Sequence, residues 1–146
     1  MSEDKTHVLL IEDNHGDARL VEEMLKEGAA DDFVLKHVES LQEGVSVLSQ
    51  DCGSQVILLD LGLPGGIGLE SLRRIMPLAQ DASVVVLTGY QNEELGIAAI
   101  REGAHDYLIK CQVDGRQLRR ILRYSVERQK MQSELHAEIE RRARVQ

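Results

Sequence analysis

Short apolar runs alternate with stretches of helical period from residue 7 to about residue 126. The runs HVLLI at 7–11, FVLKHV at 33–38, VILLD at 56–60, SVVVL at 83–87 and HDYLI at 105–109 have strand length and composition. Val56 to Leu59 form an unbroken β-branched and aliphatic run, as in a strand buried on both faces, so Asp60 stands where that strand surfaces. Within the first run the strand is predicted over Val8 to Ile11.

Between the runs, apolar positions recur at helical spacing. Ala18, Leu20, Val21, Met24 and Leu25 mark a helix from His15 that Gly28 stops. Ser40 caps a second helix carrying Leu41, Val45 and Leu48. Gly62, Pro64, Gly65 and Gly66 make a loop into a third helix with Leu69, Leu72, Ile75 and Met76. A fourth runs from about Asn92 to Arg101, and Gly103 ends it. Strands alternating in this way with helices of about ten to fifteen residues predict βαβ crossovers and one parallel sheet. The expected fold is α/β, a doubly wound five-stranded parallel sheet of order 2-1-3-4-5, flavodoxin-like, with an extended C-terminal helix.

That helix is predicted for Asp114 to Gln146, which has no glycine or proline after Gly115. Leu118, Ile121, Leu122 and Val126 suit packing on the body. Met131, Leu135, Ile139 and Ala143 continue as a narrow stripe with imperfect heptads, a weak signal for a homodimer. The chain thus divides into a domain over 1–126 and a helical extension over 127–146.

Composition narrows the function classes. Of 146 residues, 42% are hydrophobic and 29% charged, as in a globular domain, and with no Trp, one Phe and three Tyr no stacking platform for bases is visible. The net charge of −8 is uneven: residues 1–113 carry 8 Lys/Arg against 20 Asp/Glu, and residues 114–146 carry 9 against 5. An acidic body argues against direct binding of nucleic acid. No apolar run reaches the roughly 18–20 residues of a membrane span, and MSEDKTH lacks the parts of a signal peptide, so a cytoplasmic protein is expected. Cys52, a loop residue, and Cys111 lack metal-ligand spacing. His7, His15, His37, His105 and His136 are scattered and read as solvated; Glu70, Arg73 and Arg74 read as a solvated helix face.

Polar residues at the strand ends carry the chemistry. Glu12 and Asp13 follow the first strand, Asp60 ends the third, Thr88 follows the fourth and Lys110 the fifth. In the order 2-1-3-4-5 the first and third strands are neighbours, so three carboxylates converge and need a cation. Oxygen ligands without His or Cys favour Mg²⁺, with Mn²⁺ as a substitute. Lys110 and the Thr88 hydroxyl suit phosphoryl oxygens, and Asp60 suits a covalent nucleophile in phosphoryl transfer. The glycines of 62–68 and Gly89 match neither a dinucleotide fingerprint nor a P-loop.

The acidic pair in IEDN, LLDLGLPGGIGLE around Asp60, VVLTGY around Thr88 and GAHDYLIK ending at Lys110 together resemble the receiver domains of two-component response regulators, over residues 7 to about 126. The resemblance implies that a sensor histidine kinase, a phosphotransfer protein or a small phosphodonor passes a phosphoryl group to Asp60. It implies metal ligation by Asp13, Asp60 and the backbone carbonyl of Gly62, with Glu12 acting through water. It further implies a switch pair, Thr88 and Tyr107, and self-catalysed loss of the phosphoryl group rather than turnover catalysis.

Two departures stand out. Cys111 follows the lysine where the family usually has a cis-proline, so a trans bond is expected there. The stretch KCQVDGRQLRRILRYSVERQ looks like the end of receivers placed at the front of larger signalling proteins. Since no output module follows it in this sequence, residues 127–146 read as a linker to an absent module, or as a helix that reaches a target protein. Tyr90 is expected at the mouth of the pocket. The alternatives are a stand-alone or degenerate receiver that only docks proteins, and a metal-dependent phosphatase, which would want an acid where Gly62 stands.

Overall fold

The computed structural model describes residues 5–27, 32–50, 53–62, 69–89, 92–110 and 112–145. Five strands, β1 (Thr6–Ile11), β2 (Phe33–Val38), β3 (Val56–Asp60), β4 (Ser83–Thr88) and β5 (Asp106–Ile109), form one parallel sheet in the order β2-β1-β3-β4-β5. The connecting helices are α1 (His15–Lys26), α2 (Leu41–Ser49), α3 (Glu70–Ala79) and α4 (Glu93–Arg101), and α5 (Gly115–Val145) closes the chain. The doubly wound, flavodoxin-like arrangement is the one the alternation of periods predicts. The Gly28 helix stop, Cys52, the loop at Pro64, Gly65 and Gly66, Tyr90 and the bond at Cys111 fall outside the described residues.

Side-chain alternation divides the sheet into two cores. Leu9, Ile11, Ile57, Leu59, Val84 and Val86 face α2, α3 and α4. Val8, Leu10, Val56, Leu58, Val85, Leu87 and Leu108 face α1 and α5. Every residue of β3 and β4 is buried, which is why those two read as continuous apolar runs.

The helices follow their capping chemistry. Asn14 accepts the Asp17 N–H at the start of α1, and Ser40 accepts the Glu43 N–H at the start of α2. α1 buries Ala18, Val21, Met24 and Leu25, whereas Leu20, expected on the same stripe, is exposed. α5 spans 31 residues; Leu118, Leu122 and Val126 enter the core, and Met131, Leu135 and Ile139 stand in solvent. Arg123 ties α5 to the edge strand through its ion pair with Asp32 and its position 5.3 Å over the Phe33 ring. Arg73 is not merely solvated, since it holds Glu102 with two hydrogen bonds and joins α3 to the end of α4. No helix among the described residues is long and apolar enough to cross a membrane.

Candidate phosphoryl-transfer site

Asp60 is the last residue of β3, and the β1–β3 register pairs Ile11 with Leu59, so Glu12 and Asp13 emerge beside it at the carboxyl edge. Carboxylate oxygens of Glu12, Asp13 and Asp60 lie within 4.8 Å of one another, as the strand order requires. They line an open pocket of about 290 Å³ whose far wall includes Gly89, Asn92 and Leu95. Glu12 and Asp60 are buried, and Asp13 is exposed at the rim.

The framework fixes each acid. The Glu12 N–H donates to the Val38 carbonyl, and the His37 ring N–H donates to the Glu12 carbonyl at 2.7 Å. The Asn14 N–H donates to Glu12 Oε2. Asp60 Oδ1 accepts the Gly62 N–H at 2.9 Å, so Gly62 lies against Asp60. His37 is therefore part of the support, and His105 also has a structural role, its Nδ1 accepting the Val84 N–H. Burial lowers the pKa of His105, consistent with a neutral ring.

Lys110 supplies the cation. Its Nζ lies 2.6 Å from Glu12 Oε1, 2.9 Å from Asp17 Oδ2 and 3.3 Å from Asp60 Oδ2. Burial works against its charge, but hydrogen bonds to Glu12 and Asp17 and the field of Asp60 outweigh it and raise its pKa. Burial, with Asp60 adding and Lys110 opposing, pushes the Glu12 carboxyl up to about 8. The site holds more negative charge than one lysine neutralises, and an all-oxygen donor set of this kind fits Mg²⁺. Asp17 is the member that the sequence reading missed; an acid in the first turn of a helix is ordinary dipole chemistry and carries no signal toward β5.

Thr88 and Tyr107, expected from the resemblance to act as a pair, lie apart from this cluster. Thr88 continues the alternation of Val84 and Val86, on the α4 side of the sheet, and its hydroxyl donates to the Leu108 carbonyl at 3.5 Å rather than into the acidic pocket. The Tyr107 hydroxyl, on the same side, is hydrogen-bonded to Glu93 at the start of α4. Of the residues singled out from sequence, Glu12, Asp13, Asp60, Gly62 and Lys110 thus meet in one place, while Thr88 bonds to β5 and Tyr107 to the start of α4.

The family model for the response regulator receiver domain matches residues 8–123. The chain belongs to this family. The receiver is 30% identical over 110 residues to the nitrate/nitrite response regulator protein NarL of Escherichia coli, covering 75% of this chain and 50% of that protein. It is 34% identical over 107 residues to the photosynthetic apparatus regulatory protein RegA of Cereibacter sphaeroides, covering 73% and 55%. Among solved structures, a response regulator receiver domain protein from Clostridium thermocellum superposes with a TM-score of 0.75 at 25% identity, covering 86% of this receiver and 98% of that chain. The receiver spans about half the length of these two regulators.

Proposed function

We propose that Asp60 is the phosphoacceptor of this two-component receiver. The observation that carries the reading is the meeting of Asp60, Glu12, Asp13 and Lys110 at the carboxyl edge of the sheet, in a chain of the receiver family. An Asp60 oxygen attacks phosphorus, the bond from phosphorus to the donor breaks, and the donor leaves as acetate from acetyl phosphate or as imidazole from a phosphohistidine. Asp13, Asp60 and the Gly62 carbonyl would hold Mg²⁺, with Glu12 acting through water. When bound, the ion offsets the carboxylates and draws in the phosphoryl oxygens. Lys110 neutralises the product's charge, and the acquired charge of about −1.5 to −2 biases the switch.

The Thr88 hydroxyl would exchange the Leu108 carbonyl for a phosphoryl oxygen, and Tyr107 would leave Glu93. Loss of the phosphoryl group to water would return the resting state, with no other substrate turned over. The partners are a sensor histidine kinase or phosphotransfer protein on the input side and an output domain or target protein reached through α5. Residues 1–126 form the receiver and residues 127–146 the connector, in a cytoplasmic signalling protein.

Intact-protein mass after incubation with acetyl phosphate and Mg²⁺ tests the reading. A gain of roughly 80 Da for one phosphoryl group, dependent on the metal and lost in Asp60→Asn, is the expected result. No gain under conditions that label another receiver would leave a module that only docks proteins.

A further inference from the structure

Lys110 directly follows β5, and β4 separates β5 from β3. Strands about 4.8 Å apart put its backbone about 10 Å from that of Asp60, so the lysine must reach across the end of β4. A flexible four-carbon stem is costly to hold in one such conformation. Its ammonium has three N–H donors, and three carboxylates, from Glu12, Asp17 and Asp60, stand around it at 2.6, 2.9 and 3.3 Å. Of the three, the Asp17 contact has full hydrogen-bond geometry, so an ammonium drawn toward a phosphoryl group on Asp60 gives up that bond or stays tethered by it.

The three are not equally placed to yield. Asp60, once phosphorylated, passes its charge to the phosphoryl oxygens that take its place at the ammonium, and the Glu12 side chain, fully buried, has no hydrogen-bond partner for Oε1 among the described residues to replace the lysine. The Asp17 side chain is 41% exposed and can exchange the ammonium for water. Asp17 is also wired back to the pocket: its N–H donates to Asn14 Oδ1, and the Asn14 N–H donates to Glu12 Oε2.

We propose that Asp17 is a positioning residue that holds the Lys110 ammonium in the resting receiver and releases it when Asp60 carries a phosphoryl group. The inference rests on Asp60 being the phosphoacceptor. Release ends the tie between β5 and the first turn of α1, so the charge at Asp60 is felt at the start of α1. Holding also opposes the phosphorylated state, because the contact with Asp17 is given up to reach it.

The test uses the full chain with Mg²⁺ and beryllofluoride, a phosphoryl analogue that binds a carboxylate oxygen. The wild type should bind in a metal-dependent way; failure there would sink the phosphoacceptor assignment itself. Asp17→Asn should bind about two- to fivefold more tightly, the range set by a partly exposed ion pair, and Asp17→Glu should return toward the wild-type affinity. In the wild type, the Asp17 carboxyl carbon and the Lys110 ammonium nitrogen should both shift in NMR spectra at saturation. Unchanged or weaker binding by Asp17→Asn would overturn the inference while leaving the phosphoacceptor standing. An Asp17 carbon that does not move on saturation would overturn it too, since any gain in affinity would then come from the charge alone.

Discussion

The ring of Tyr107 comes within 2.5 Å of the point where a Cβ on Gly96 would stand, so the ring occupies space that only glycine leaves open. Gly96 lies inside α4, where glycine is less favourable than alanine by roughly 0.5–1 kcal/mol. The helix gives up that stability for a seat in which Tyr107 packs against the core and reaches Glu93 with its hydroxyl.

Gly96→Ala should therefore destabilise the protein, because an overpacking cost of about 1–3 kcal/mol exceeds the gain in helix propensity. In a Tyr107→Ala background the same substitution should stabilise by about 0.5–1 kcal/mol. Urea unfolding of the four proteins checks the change of sign. A Gly96→Ala variant that is stabilised with Tyr107 present would show that the ring does not need the space.

Glu12 sets a pH dependence on the metal-free protein. Its carboxyl is raised from 4.5 to about 8, with burial the largest cause, so the folded state holds this proton more tightly than the unfolded chain. The contribution to stability is complete below pH 4.5 and is lost as pH rises through about 8. Without metal, the urea midpoint should fall by an amount worth a few kcal/mol across that window, and Glu12→Gln should flatten the fall. A wild-type midpoint that rises from pH 5 to 8 would contradict a raised pKa at Glu12.

What could be read from the sequence, and what could not, follows from where each signal resides. β2 and β3 match their predicted limits because apolar residues open both strands and recur to the last or next-to-last position. β1 begins earlier than its apolar core, at Thr6, since Thr6 and His7 pair with Phe33 and Val34 through the backbone whatever their side chains. Leu20 has the right spacing for the buried stripe of α1, but it stands 46% exposed. The convergence of Glu12, Asp13 and Asp60 needed only the strand order. The side on which Thr88 lies was already implicit in the alternation through Val84 and Val86. The Asp17–Lys110 contact joins residues 93 positions apart, and nothing local in either segment announces it.

The outer part of α5 should be dispensable for folding. Beyond Val126, Met131, Leu135 and Ile139 are exposed by 67%, 61% and 57%, and the link from Ser133 to Asp81 is a surface contact at 3.5 Å. Removing residues 131–146 should reduce the helical circular dichroism while moving the thermal midpoint by less than about 3 °C. Val126→Ala, by contrast, should cost about 1–3 kcal/mol for its lost core packing. A truncation that unfolds the protein would place the domain boundary further along α5 than residue 126.

Metal binding should release a proton. At neutral pH the carboxyl of Glu12, raised to about 8, is mostly protonated in the metal-free protein. A divalent cation beside Asp13 and Asp60 favours its ionised form, so binding must expel that proton. Calorimetric titration with Mg²⁺ at pH 7, in buffers of different ionisation enthalpy, should give close to one proton released per ion, falling toward zero above about pH 9. Glu12→Gln should abolish the release while leaving Asp13 and Asp60 to bind the metal. A release that persists in Glu12→Gln would assign the proton to another group and remove the reason for coupling Glu12 to the ion.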